Sequence, residues 1–440
     1  MSVKTFLVSC VLSLGCALCS SLSAQDTVQV NEQELLQKLA NSNWELRIAE
    51  QEYLSARADY RQSNGIFLPQ VELSYTAMTT NNPLMAFGSK LNQEIVSMQD
   101  FNPALLNDPD RIDNFATELA INQPLINVDG IYQRKAAKAK MRAMQLKSQR
   151  TQKGMKIELK KAYMMLQLSY KGKEVVNNAV EMAKSGYKMV SDYYQEGMVQ
   201  KADVLMADLH LKQMQTKQQA VQNQILSASN QIAYLVGDSS RNMLYQPKDG
   251  LDTNISAQLP EVAFSVNRTD IAAMESAAEA YHKMAQASKM SFLPRLNAFG
   301  RYQLYDDEPL QADANGYLVG ARLSWSLFNG YQNAAKSEKA KIEYQKAQDE
   351  AEQYKSKSAS EFAETKNNLQ LAIYKVKQEK LAVEQAEEAY QIRKDRFSEG
   401  LEKTTDLLQA ETQLYQSEMG LLKALFEYHL THAYLEFLTQ

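Results

Sequence analysis

The chain has 440 residues, with 48 lysines and arginines against 52 aspartates and glutamates, so its formal charge near neutral pH is only -4. A weak negative charge gives no reason to expect nucleic acid as a partner. All three cysteines, Cys10, Cys16 and Cys19, lie within the first 24 residues. Disulfides, thiolate metal sites and cysteine nucleophiles are therefore excluded from the rest of the chain.

Residues 1–24 have the pattern of a secretory signal peptide, with Lys4, an apolar stretch from Phe6 to Leu18, and small residues at the exit. The sequence thus predicts export from the cytoplasm. A lipoprotein signal cleaved before Cys10 is the alternative, but it would leave almost no apolar segment ahead of the cut. No later run approaches the roughly 20 apolar residues of a membrane-spanning helix, although membrane strands give a weaker signal.

The first half of the predicted mature chain, residues 25–236, begins with an N-terminal helix over about Glu32–Gly65. Its apolar residues recur at helical spacing, at Leu46, Ala49, Tyr53, Ala56 and Tyr60. After Phe67, Leu68 and Pro69 the period changes to two. This alternation predicts strands near 70–78 and 115–123, each with one apolar face.

Two proline-free tracts, 125–246 and 310–440, are rich in residues that favour helices. Because proline inside a helix costs about 3 kcal/mol, such tracts favour long helices. The first tract predicts helices over 131–195 and 202–236. A heptad seam of apolar and small residues supports the second of these helices. Its positions are Val204, Ala207, Leu211, Met214, Gln218, Val221, Ile225, Ala228, Ile232 and Leu235.

The second half of the chain repeats this order of elements. Residues 237–267, which contain Pro247, Gly250 and Pro260, are predicted to form an irregular equatorial linker. The second repeat, 268–440, is predicted to contain a helix over 268–291, strands near 295–305 and 317–327, and helices over 331–398 and 403–438.

Shared landmarks show that the two halves are copies of one unit. Glu196, Gly197 and Asp203 recur 203 positions later as Glu399, Gly400 and Asp406. Phe67, Leu68 and Pro69 recur as Phe292, Leu293 and Pro294, and Leu125, Ile126 and Asn127 recur as Leu327, Phe328 and Asn329. A repeat of this length is too long for a solenoid module. Each copy is one strand hairpin and one long helical hairpin.

Strands of about ten residues suit a tilted crossing of a bilayer. Phe67, Leu68, Pro69, Phe292, Leu293, Pro294 and Trp325 are the predicted membrane-interface anchors. An ordinary soluble hairpin pair packed on helices is the alternative. Four membrane strands cannot close a barrel alone, and open sheet edges are not tolerated in lipid. Two chains would give eight strands and a filled barrel, whereas three would give twelve and room for a channel.

The expected fold is therefore mostly α-helical with a membrane β-barrel portion. A homotrimer would form a 12-stranded barrel continued by an α-helical barrel. The repeated landmarks, in this order and twice, resemble the outer membrane efflux protein family, the TolC-like channel-tunnels, over essentially the whole mature chain. The resemblance implies an exit duct in outer membrane lipid with a long periplasmic extension. It would serve tripartite efflux or type I secretion, and neither enzyme activity nor a cofactor is expected.

The same resemblance implies two protein partners, a periplasmic adaptor (membrane fusion) protein and an inner-membrane pump of the RND or ABC type. The two helix-hairpin tips would then form the periplasmic entrance. The predicted docking residues are Glu196, Gly197, Met198, Val199, Glu399, Gly400, Leu401 and Thr404. Gly197 and Gly400 are expected to end their helices in the left-handed conformation. Residues 79–114 would form an extracellular loop that narrows or decorates the outer mouth.

Asp203, Asp406 and Glu402 are the candidates for a constriction at that entrance, because rings of charged side chains select ions in pores. The alternative is that both aspartates only stabilise the first turns of the returning helices. In the family that this chain resembles, some members carry a basic residue at the position of Glu402, and that basic residue helps to hold the entrance shut. Glu402 cannot make that bond.

Two weaker interpretations complete the sequence analysis. His429, His432 and Glu436 share a helical face at metal-ligand spacing, although polar positions on a terminal helix explain them better. A periplasmic or surface coiled-coil protein without a pore is the main alternative function, but it does not explain four alternating segments at matching repeat positions. No phosphate-binding glycine loop, zinc motif or Gly-x-Ser-x-Gly elbow is found, so an enzyme is not expected.

Overall fold

The computed structural model describes residues 27–238 and 243–440. The predicted signal peptide lies outside the described residues. The chain divides into two compact units. Among the described residues, those up to Arg47 together with Gln152–Ala263 and Phe362–Thr439 form one unit, which we call the hairpin unit. Ile48–Thr151 and Phe264–Glu361 form the other, which we call the sheet unit.

Long helices dominate the described residues, and strands lie between them. The order is β1 (Thr27–Val30), α1 (Glu32–Ser42), α2 (Trp44–Gln62), β2 (Gln70–Thr80), α3 (Pro83–Asn92), α4 (Pro103–Asn107), β3 (Ile112–Ile126), α5 (Val128–Gln195), α6 (Lys201–Leu235), β4 (Leu244–Pro247), α7 (Thr269–Met290), β5 (Arg295–Asp306), β6 (Ala314–Ser324), α8 (Gln332–Ser398) and α9 (Thr404–Thr439). Within the described ranges no helix is both long and apolar enough to cross a membrane.

The N-terminal helix is interrupted, whereas the sequence predicts one helix over about Glu32–Gly65. Asn43 has extended backbone angles between α1 and α2. Its side-chain oxygen accepts from the Leu46 backbone N–H at 2.9 Å, and its Nδ2 donates to the Leu235 carbonyl at 2.8 Å. The interruption depends on a partner 192 residues away, which helical periodicity does not reveal.

Heptad positions form the core of the hairpin unit. On α6, Ala207 and Ile232 have no exposed surface, and Met214 and Ile225 are almost completely buried. Ala207, Met214 and Ile232 pack with apolar and small residues of α5, namely Leu159, Ala162, Leu166, Val176, Ala179, Val180, Ala183 and Val190. A repeat of 3.5 residues keeps one stripe of each helix facing its neighbour, and this stripe is where the buried residues lie.

A four-stranded sheet in the order β2-β3-β5-β6 organises the sheet unit. All three pairings are antiparallel, and the central β3–β5 pair joins the hairpins of the two repeats. One cross-strand row is Leu73, Leu119, Tyr302 and Tyr317, and the next is Ser74, Glu118, Gln303 and Gly316. Because neighbouring rows face opposite sides of a sheet, one face is apolar and the other polar.

Strand ends differ from the predicted ones near both exits from the sheet. β3 extends to Ile126, and its register with β5 shifts between Pro124 and Ile126. Proline has no N–H to donate to the ladder, so the strand continues through an irregularity. β6 ends at Ser324 rather than near 327, and Trp325 lies beyond it. The Trp325 indole instead donates to the Phe292 carbonyl at 2.9 Å.

The predicted outer loop is a folded insertion that contains α3 and α4. Gln93 Nε2 lies 2.9 Å from each of three oxygens, the carbonyls of Asp113 and Asp306 and Oδ1 of Asn114. Lys90 and the Ser97 N–H bind Asp100 and lower the pKa of that carboxyl to about 2. The Gln93 contacts hold the insertion against the ends of the strands, and the Asp100 bonds stabilise the insertion internally.

Candidate functional site at two helix-hairpin turns

The turn between α5 and α6 is the first predicted tip. Gly197 has a φ of +78°, in the left-handed region that only glycine adopts freely. The N–H of Met198 donates to the Tyr193 carbonyl at 2.8 Å, and the N–H of Gly197 donates to the Tyr194 carbonyl at 3.0 Å. This is the Schellman arrangement that ends a helix. We call residues 196–200 tip 1.

The turn between α8 and α9 repeats this geometry. Gly400 has a φ of +72°. The N–H of Leu401 donates to the Arg396 carbonyl at 2.9 Å, and that of Gly400 donates to the Phe397 carbonyl at 3.0 Å. The expected left-handed glycines are thus confirmed in both turns. We call residues 399–403 tip 2, and Thr404 is buried at the start of α9.

The three predicted constriction residues have different surroundings. Asp203 Oδ2 accepts from the Gln200 backbone N–H at 2.9 Å, so this carboxylate caps the start of α6. Asp406 lies in the first turn of α9, 3.8 Å from Nη1 of Arg393. Both positions agree with stabilisation of a helix N-terminus, but only Asp203 accepts a backbone N–H there, whereas Asp406 contacts the side chains of Arg393 and Thr405.

Glu402 in tip 2 forms ion pairs with arginines of the preceding helix, α8. Its two carboxylate oxygens accept from Arg393 Nη1 and Arg396 Nε, each at 2.9 Å. Arg396 also donates to the Leu401 carbonyl at 3.4 Å. The two arginines are three positions apart in the last turns of α8, where cations interact favourably with helix carbonyl groups. Sequence analysis did not identify this cluster, although that spacing was a usable signal.

The helix ends that flank the two tips pack against each other within the hairpin unit. Val190, Ala207, Phe397, Leu407 and Leu408 form one buried cluster that draws on both helical hairpins. Tyr193 stacks on Phe397 with ring centroids 5.6 Å apart, and its hydroxyl donates to the Ser398 carbonyl at 2.7 Å. The end of α8 is therefore tied to α5 by a bond that joins the two repeats.

Replacing Tyr193 with phenylalanine should loosen tip 2 while keeping the stacked ring. A hydrogen bond of this kind contributes about 1 kcal/mol, so amide hydrogen exchange at residues 398–404 is expected to speed up about five-fold. The matched control is Tyr194→Phe, because Tyr194 is exposed and its hydroxyl has no hydrogen-bond partner among the described residues. Equal exchange in the two variants would contradict the role assigned to Tyr193.

The weak metal candidate does not form a metal-binding group. His429 Nε2 lies 2.9 Å from the Asp252 carbonyl, and His432 Nδ1 lies 3.7 Å from Oε1 of Glu436. In the part of the chain that the structure describes, no three His, Cys, Asp or Glu side chains are arranged to hold a metal ion. His429 instead attaches the linker segment to α9.

The predicted interface anchors are exposed at matching positions of the two repeats. Phe67, Leu68, Phe292, Leu293 and Trp325 each expose about half of their surface. The carbonyls of Phe67 and Phe292 accept side-chain N–H groups from Gln123 and Trp325, which are equivalent in the repeats, at 2.9 Å. Exposed aromatic residues at the end of an apolar sheet face are typical of a membrane interface.

Two copies of a long helical hairpin joined to a strand hairpin define the fold of the outer membrane channel-tunnels. CusC has this fold, with a TM-score of 0.80 and 17% identity over 96% of this chain and 95% of that one. VceC of Vibrio cholerae has a TM-score of 0.77 and 19% identity, over 93% of this chain and 96% of VceC. The open state of MtrE of Neisseria gonorrhoeae has a TM-score of 0.76 and 16% identity, over 96% of this chain and 93% of MtrE.

The family model described as outer membrane efflux protein matches residues 35–238 and 263–439. The chain therefore belongs to the outer membrane efflux protein family and is an efflux channel of the outer membrane. A comparison with curated protein sequences found no match.

Proposed function

We propose that three copies of this chain form one duct, with a shared barrel of twelve strands and a tunnel of α-helices. The observation that carries this proposal is the sheet order β2-β3-β5-β6, in which β2 and β6 each have one edge without a partner strand among the described residues. Backbone N–H and C=O groups at an open edge cannot remain unpaired in lipid. Further copies supply the missing partners, and three leave room for a channel.

The exposed sheet face supports contact of the duct with lipid. Leu73, Tyr317 and Val319 on the apolar face are 71%, 81% and 75% exposed. The row of large apolar side chains runs across all four strands of the sheet. A surface of this kind is typical of one that a bilayer covers. The periplasmic extension then comprises the long helical hairpins.

The two tips are the proposed docking site for a periplasmic adaptor protein. Met198 and Leu401 are 58% and 63% exposed at the ends of the hairpins. Exposed apolar residues beside charged ones are suited to a protein interface. The adaptor would connect the duct to an inner-membrane pump of the RND or ABC type, for efflux or type I secretion.

Assembly and docking can be tested separately. The protein extracted in detergent is expected to have three times the mass of the processed chain and to conduct ions in planar bilayers. In a strain that lacks the gene, the wild-type chain should restore efflux of a fluorescent dye, whereas Met198→Asp/Leu401→Asp should assemble without restoring it. The control is Leu84→Asp/Met98→Asp in the insertion, where both side chains are more than 80% exposed. A monomeric extract would refute assembly, and full efflux by the tip variant would refute docking at the tips.

A further inference from the structure

A buried polar contact joins the two repeats at some distance from the tips. His210 on α6 and Glu411 on α9 are 8% and 3% exposed, and Nε2 of His210 lies 3.0 Å from Oε2 of Glu411. The two atoms do not form an aligned hydrogen bond. The contact is therefore a close approach of two buried polar groups, an imidazole nitrogen and a carboxylate oxygen, that burial removes from water.

Both helices of the first hairpin approach this carboxylate, which belongs to the second hairpin. Gly186 on α5 leaves room for it, since a Cβ at that position would lie 3.0 Å from Oε1 of Glu411. On α8, burial and, to a smaller extent, the charge of Glu411 raise the pKa of Tyr390 to about 12. One side chain thus touches or faces both hairpins.

The pair of His210 and Glu411 is not repeated at the equivalent positions of the other hairpins. The repeat equivalent of Glu411 is Asp208, which binds Lys212 at 2.6 Å on the same helix. The equivalent of His210 is Gln413, which is exposed. The contact therefore distinguishes the two hairpins, and general helix packing does not require it.

The pair of His210 and Glu411 lies at a similar distance along the helices from each tip. His210 follows Gly197 by 13 residues, and Glu411 follows Gly400 by 11. At 1.5 Å per residue, the pair lies roughly 17 to 20 Å along the helices from each turn. A buried polar contact between helices can fix their register, because any shift leaves a buried polar group without its partner.

We propose that His210 and Glu411 are a positioning pair that sets the separation of tip 1 from tip 2. The inference rests on the proposed function in one respect, which is that the two tips form the entrance of the duct. The pair holds α6 and α9 in one register, and the Tyr193 bond then completes the arrangement at the turns.

The test measures the distance between the tips in the purified full-length assembly, without adaptor or pump. Residues 25–440 contain no cysteine, so spin labels can be placed specifically at Lys201→Cys and Lys403→Cys. Labelled chains are diluted with unlabelled ones so that only distances within one chain are counted. The variants are His210→Gln, Glu411→Gln and the apolar double variant His210→Leu/Glu411→Met, with Asp208→Asn as the control.

Each single variant should broaden the distance distribution and lower the thermal midpoint by about 5 °C, while Asp208→Asn should change neither. The apolar double variant should regain the midpoint, because well-packed apolar residues can replace a buried ion pair without loss of stability, yet keep the broad distribution. A wild-type distribution in both single variants, or in the apolar double variant, would overturn the proposal. Failure of the tips to bind an adaptor would not affect any of these measurements.

Discussion

Replacing Asp270 with alanine should destabilise the sheet unit by about 3 kcal/mol, because it removes the carboxylate that pairs the buried Arg268 and the partly buried Arg150. Asp270 Oδ2 lies 2.6 Å from Arg268 Nη2 and 3.2 Å from Arg150 Nε, and it accepts from the Tyr354 hydroxyl at 2.8 Å. Arg268 is 2% exposed. Thermal unfolding in detergent measures the loss, and Asp307→Ala, at an exposed turn position, is the matched control.

The same carboxylate gives this stability a pH dependence. Burial alone raises the pKa of Asp270, but its bonds with Arg268 and Tyr354 and the charge of Arg150 outweigh that effect, so the pKa lies below its ordinary value. A group with a lowered folded pKa stabilises the protein above its unfolded pKa and loses that contribution as the pH falls through the folded pKa. Wild-type stability should therefore converge on that of Asp270→Ala in acid. A constant difference at all pH values would contradict this assignment.

The second large effect is expected in ion selectivity, from the double variant Asp203→Asn/Asp406→Asn. In the proposed trimer these residues contribute six carboxylates to the entrance, and charged rings of this kind favour ions of opposite sign. Glu402 contributes less, because its charge is balanced by Arg393 and Arg396. The cation preference in single-channel recordings should fall several-fold.

Asn at both positions retains a side-chain oxygen that can cap a helix, so the tips should remain folded. Asp349→Asn, on an exposed face of α8 in the sheet unit, is the control for loss of an aspartate elsewhere. If the double variant keeps the wild-type cation preference, the aspartates are only helix-capping residues and the constriction proposal fails.

The parts of this protein that could be predicted from the sequence depend on residues close together in the chain. Proline-free tracts located α5, α6, α8 and α9, and heptad spacing identified the buried stripe of α6, because a helix buries the stripe that its own period defines. Gly197 and Gly400 located the turns, since glycine adopts a positive φ without steric cost. Alternation located the strands and assigned their apolar face, although the ends of β3 and β6 depended on neighbouring strands.

What the sequence by itself determined is the duplicated unit, its helices and strands, and the family to which the chain belongs. Only the tertiary structure decided which side chains meet across that duplication. The Tyr193–Ser398 bond spans 205 residues, and the contacts of His210 with Glu411 and of Asp270 with Arg150 likewise join distant segments. Local spacing does not encode such contacts, because they depend on how separate helices are brought together by packing.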